Sequence, residues 1–154
     1  QAQRGVWNPF RPTSSYGETC EKVERVLEQL ELTALAGRQA GTLSHGDVAL
    51  LEIGMAIAAE PRLLLLDEPI CGMSPAETAR TVAKIRELAQ TIDIVLIEHD
   101  MEVVFEIADD ITVMAQGAIL ASGSPKEIAA DERVREAYLG RPEDEDYIEE
   151  AVRA

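Results

Sequence analysis

Three short segments concentrate the residue types that do phosphate and proton chemistry. They are Leu43-Ser44-His45-Gly46-Asp47, Leu63-Leu64-Leu65-Leu66-Asp67-Glu68-Pro69, and Ile94–Ile97 followed by Glu98-His99-Asp100. In the second, a run of leucine gives way at once to two acids. Asp67 at a strand end is placed to hold a divalent cation, directly or through water. Glu68 beside it has the chemistry to orient or deprotonate a water. His99 can hydrogen-bond a phosphate oxygen or that same water. A carboxylate buried at such a point needs a partner or a cation. Taken singly, each residue also has a blander reading. Asp67 would cap the following loop, and His99 would be a satisfied core histidine.

The elements that must position these groups are legible from periodicity. From Thr19, Val23, Val26, Leu27 and Leu30 recur at helical spacing and give one apolar stripe. Ser44 is a good N-cap for a second helix that runs towards Ala59, and Asp47 stands where a carboxylate can reach back to that cap. Leu63–Leu66 and Ile92–Ile97 read as strands buried on both faces. Ser74-Pro75-Ala76-Glu77 is a strong helix start, with Val82, Ile85 and Leu88 on its buried face. Met101–Ala108 is expected as a short helix. Ile111–Ala115 and Ala118–Ala121 flank a Gln116-Gly117 turn and predict a hairpin. Ser124-Pro125-Lys126-Glu127 starts another helix, and Arg133–Leu139 forms a last one, stopped by Gly140. Strands alternating with helices imply an α/β fold with a parallel sheet. In such sheets ligands bind at the carboxyl ends of strands, where Asp67-Glu68 and Glu98-His99-Asp100 fall.

With these elements in place, a resemblance emerges. Leu43–Asp47 resembles the signature motif of ABC-transporter ATPase subunits. Leu63–Pro69 resembles their Walker B strand with its catalytic glutamate. Gly72-Met73-Ser74-Pro75 falls where their D-loop falls, and His99 resembles their switch histidine. Order and spacing agree across residues 20–140. Leu51-Glu52-Ile53-Gly54-Met55, Ile97–Met101 and Val134–Gly140 are similar to the branched-chain amino acid and urea uptake branch.

The resemblance implies a partial P-loop NTPase (ABC ATPase) fold with parallel strands, part of the helical subdomain, and a C-terminal hairpin plus helices. Residues 1–18 would be an irregular lead-in, 19–60 the partial helical subdomain, 61–140 the C-terminal part of the ATPase core, and 141–154 an acidic tail. It implies that Glu68 is the general base, that His99 senses the γ-phosphate, and that Asp67 binds Mg²⁺ through water. Leu43, Ser44, His45, Gly46 and Asp47 would face ATP held by a second ATPase subunit. A Ser hydroxyl beside free N–H groups at a helix N-terminus suits an anion. Gly72, Met73 and Ser74 would make the D-loop contact, altered because Ser74 stands where many relatives have Asp. The implied cofactors are ATP and Mg²⁺. The implied partners are a second ATPase subunit, membrane permease subunits and, indirectly, a periplasmic solute-binding protein. The implied location is the cytoplasmic face of a bacterial inner membrane.

One expected part is not in the sequence. The family holds phosphates with Gly-x-x-x-x-Gly-Lys-Ser/Thr, and none of the ten glycines here is followed by Lys. The chain therefore reads as a C-terminal portion of such a subunit, inactive by itself. The strand at Ile94–Ile97 would then have an unpaired apolar edge, covered by self-association, by a swapped element or by the C-terminal hairpin. Two other readings compete. One is a catalytically silent interaction module. The other is a phospho-acceptor signalling domain with Asp67 as acceptor, which would need a Lys after a later strand. The lysines are Lys22, Lys84 and Lys126, and none follows a strand.

Composition narrows the classes further. The chain has 154 residues, one domain's worth on the usual scale of roughly 100–200. Aromatics are 4%, so aliphatic residues must build the core. The 29 Asp and Glu against 14 Lys and Arg, net −15, disfavour nucleic acid and autonomous docking on anionic lipid. No apolar run approaches the ~18–20 residues of a membrane helix. Cys20 and Cys71 do not make a disulfide framework, and a reducing compartment is the expectation.

Overall fold

The computed structural model describes residues 17–138. The expected lead-in up to residue 16, the Gly140 helix stop and the acidic tail lie outside the described residues. Six helices and four strands are present among those described: α1 (Gly17–Gln29), α2 (His45–Ile57), β1 (Leu63–Asp67), α3 (Pro75–Leu88), β2 (Asp93–Ile97), α4 (Met101–Ile107), β3 (Ile111–Ala115), β4 (Ala118–Gly123), α5 (Pro125–Ala130) and α6 (Glu132–Tyr138). Two 3₁₀ turns, Thr33–Leu35 and Ala40–Thr42, connect α1 to α2.

The β1 and β2 strands pair in parallel, in a register that runs from Leu63 opposite Asp93 to Asp67 opposite Ile97. The α3 helix makes the crossover between them. The β3 and β4 strands form a separate antiparallel pair. Gln116 (φ 51°) and Gly117 (φ 78°) turn the hairpin, the left-handed pair that a tight two-residue connection requires. The hairpin does not add to β2, so it leaves the edge of that strand uncovered among the described residues.

The main core gathers Leu30, Leu50, Ile53, Leu64, Leu66 and Leu88 from α1's end, α2, β1 and α3. The approach of α1 to α2 is close. A Cβ on Gly54 would lie 2.9 Å from Leu30 Cδ1 and 3.3 Å from Val26 Cγ1. A second core joins Ile111, Val113 and Ala121 of the hairpin to Ile128 and Val134.

Three expectations need correction. The strands are not covered on both faces: Leu64 and Leu66 are buried, whereas Leu65 is 69% and Leu63 52% exposed. On β2, Val95 and Ile97 are likewise exposed. The helices that pack on this pair cover one face, so a run of leucine suited to two-sided burial is buried on alternate residues only. Val23, read as part of the α1 stripe, is 48% exposed, because Val26, Leu27 and Leu30 already span the contact with the core. Asp47 does not reach back to its cap. Its N–H donates to Ser44 Oγ, and its carboxylate accepts from Arg80 instead.

Candidate functional site

Strand β1 ends at Asp67, and the chain turns sharply at Glu68, whose φ is +45°. This left-handed backbone is uncommon for a residue other than glycine and costs on the order of 1–3 kcal/mol. It is held there because the Glu68 N–H donates to Ile97 O at 2.9 Å, one step past the β1–β2 ladder. The turn brings Glu68 Oε1 to 3.3 Å from His99 Nδ1, across the carboxyl ends of two adjacent parallel strands. Both side chains are exposed. His99 is thus not a core histidine.

Asp67 is also exposed, so burial does not by itself require a cation beside it. Among the described residues, no three His, Cys, Asp or Glu converge as a metal cage. An exposed carboxylate at a strand end instead fits a magnesium ion that keeps most of its waters and takes its other ligands from phosphate.

The other acids at these strand ends do different work. Asp100 caps α4, accepting from the Val103 N–H at 3.3 Å. Glu98 is half-buried and ties the two strand ends together, accepting from the Ile70 N–H at 3.4 Å and its neighbour His99 N–H at 3.3 Å. Burial pushes its carboxyl above the usual range, against the pull of those two N–H groups.

The Leu43–Asp47 segment opens α2 as expected. Ser44 is the N-cap and accepts from the Asp47 N–H at 3.3 Å. Ser44 and His45 are exposed, and Gly46 is buried. Gly46 is buried against Glu77 of α3: a Cβ there would lie 3.0 Å from Glu77 Cβ. The α3 helix begins at Ser74-Pro75 with the expected capping box, completed by Glu77. The fold therefore brings the start of α2 and the Gly72-Met73-Ser74 loop together. Two side chains of α3 join them: Glu77, and Arg80, whose Nη1 lies 2.7 Å from Asp47 Oδ1. Gly72 has φ +74°, as a loop reversing before α3 requires. Sequence reasoning placed Glu77 only as a cap residue and did not single out Arg80. The signal for Arg80 was its position three residues after Glu77, on the same face of α3.

Residues 3–71 match the family described as ABC transporter, and residues 118–144 match the branched-chain amino acid ATP-binding cassette transporter family. The chain is 43% identical over 125 residues to the high-affinity branched-chain amino acid transport ATP-binding protein BraF of Pseudomonas aeruginosa, covering 80% of this chain and 49% of that protein. It is 38% identical over 146 residues to LivG of Escherichia coli, a protein of the same description, covering 91% and 57% respectively. Among solved structures, the ADP conformation of MJ1267, an ATP-binding cassette of an ABC transporter, superposes with a TM-score of 0.74 at 35% identity. That superposition covers 88% of this chain and 54% of the other. The chain thus spans about half the length of the relatives it matches. Over that span it is similar to the ATP-binding proteins of ABC transporters, in the branched-chain amino acid group.

Proposed function

We propose that this chain is the part of an importer's ATP-binding subunit that carries the signature helix and the hydrolytic carboxylate. The importer would take up branched-chain amino acids or a similar small solute, as the descriptions of BraF and LivG support. The observation that carries the reading is the Glu68–His99 pair at the carboxyl ends of β1 and β2. A carboxylate held against an imidazole in this way can take a proton from water while the ring answers to a phosphate oxygen.

Each site residue then has a role. Glu68 is the general base, and His99 senses the terminal phosphate. Asp67 holds Mg²⁺ through water. When bound, that ion would neutralise charge developing on the phosphate oxygens. Leu43, Ser44, His45, Gly46 and Asp47 present the start of α2 to ATP held by a second ATPase subunit. Gly72, Met73 and Ser74 form the loop that meets that subunit. Residues 19–60 act as a partial helical subdomain and 61–140 as the C-terminal part of the ATPase core. The complete machine would include permease subunits and a periplasmic solute-binding protein, with this chain at the cytoplasmic face of a bacterial inner membrane. Without a phosphate-gripping Gly-Lys loop, the chain alone does not hydrolyse ATP. A Glu68-dependent rate from the purified chain would overturn that statement.

The test is association with a full-length branched-chain amino acid ATPase subunit that has been loaded with ATP. Binding of the purified chain should depend on ATP, and Ser44→Ala should weaken it at least about tenfold, the loss of a hydrogen bond to a charged group. Equal binding with and without ATP would refute the reading.

A further inference from the structure

Glu77 lies between two helix starts and divides its two carboxylate oxygens between them. Oε1 accepts from the Gly46 N–H of α2 at 3.3 Å. Oε2 accepts from the Ser74 N–H at 3.0 Å and the Ser74 hydroxyl at 2.7 Å, at the start of α3. Of the two donors proposed above for the phosphate of the opposing nucleotide, the Gly46 N–H is therefore engaged by an anion of the chain itself. Arg80 holds the same two helices together one turn further on, through Asp47.

We propose that Glu77 is a positioning residue of the signature: it holds the Gly46 N–H in place at the start of α2 and yields it to the phosphate by releasing Oε1 while Oε2 stays on Ser74. The inference rests on the signature reading given under the proposed function. Its physical basis is that one N–H cannot serve two anions, and two anions at one helix start repel. The division of the oxygens is what allows release without losing the α3 cap. Gly46 fits this role, because a Cβ there would crowd Glu77, 3.0 Å from its Cβ and 3.1 Å from its Cγ. The Asp47–Arg80 pair keeps α2 and α3 in contact when Oε1 lets go.

The experiment is the same ATP-dependent association with a loaded ATPase subunit, run on Glu77→Gln, Glu77→Ala and Ser44→Ala. The neutral amide of Glu77→Gln keeps an oxygen for Ser74 and carries no charge to oppose phosphate. It should tighten ATP-dependent binding by on the order of tenfold and leave ATP-independent binding unchanged. Glu77→Ala, which also loses the bridge between helices, should not gain. A merely structural Glu77 predicts a loss in both variants, so the gain in the Gln variant alone is diagnostic. In each variant, the amide resonances of Gly46 and Ser74 and the thermal midpoint report folding. Glu77→Gln binding as wild type or weaker, with Gly46 and Ser74 still native-like and Ser44→Ala impaired, overturns the role of Glu77 and leaves the signature reading standing. Ser44→Ala binding as wild type overturns the signature reading and this inference with it.

Discussion

At the scale of single residues, the acids of this chain differ in what they hold. Glu77 is pulled down to about 2, first by the Ser74 hydroxyl and then by the Ser74 N–H, Ser44 and the Gly46 N–H. Its folded value lies below its ordinary 4.5. Its contribution to stability is therefore fully present above about 4.5 and is lost as pH falls towards 2. Glu77→Gln should flatten the acid limb of the stability–pH curve across that window, as followed by urea midpoints at successive pH values. An unchanged acid limb would show that the carboxylate makes no net contribution. Arg80 and Asp47 lie beside this carboxylate on α3 and α2, paired with each other. Asp131 behaves like Glu77, lowered to about 2 by the Arg133 guanidinium. Glu98 is opposite in sign, because burial raises it. The candidate residues Ser44, Asp67, Glu68, Ser74 and His99 were legible from the sequence, since strand ends and cap positions are local features. The pairing of Gly46 with Glu77 was not, because 31 residues separate them.

At the scale of elements, local signals fixed the helix starts well. Ser74 and Ser124 both form the capping boxes that Ser-Pro-x-Glu predicts. In α5 the Ser124 hydroxyl also accepts from the Glu127 N–H at 3.4 Å. Ser124→Ala should therefore cost about 1 kcal/mol of stability, read as a shift in the denaturant midpoint at unchanged slope. Packing between elements sets a larger effect at Gly54, where α2 meets the end of α1. Leu30, which faces it, is fully buried. Gly54→Leu should lower stability by about 1–3 kcal/mol through overpacking, and a stability equal to wild type would mean that α1 can move away freely. Leu50→Ala, in the same core and fully buried, should cost about 2–5 kcal/mol. The reach-back expected of Asp47 failed at this scale. An Arg from another helix offered its carboxylate a stronger partner than its own cap did.

At the scale of the whole molecule, the parallel pair β1–β2 leaves Leu63, Leu65, Val95 and Ile97 exposed on one face. A contiguous apolar face of this kind associates, and in a solution of the purified chain a second copy is the available partner. The chain should self-associate with concentration, as seen by sedimentation velocity, and Leu65→Lys combined with Ile97→Lys should abolish this. A monodisperse monomer at high concentration would contradict the expectation. The described hairpin β3–β4 stands as its own sheet and does not shield β2. The face is aliphatic at its centre and carries Asp67 and Asp93 at its two ends.

The sequence by itself determined the family resemblance, the order of elements and the identity of the strand-end acids. Motif residues, caps and turns act through neighbours a few positions away, so their pattern survives in one dimension. Only the tertiary structure decided how the leucine strand is covered, since burial on a second face depends on what else packs there. It alone decided that Glu68 turns back in the left-handed region to meet His99, that Glu77 locks the start of α2 to the loop before α3, and that Arg80 ties α3 to Asp47 of α2. Those contacts join residues about thirty positions apart. They are set by the parallel crossover through α3, which no local spacing encodes.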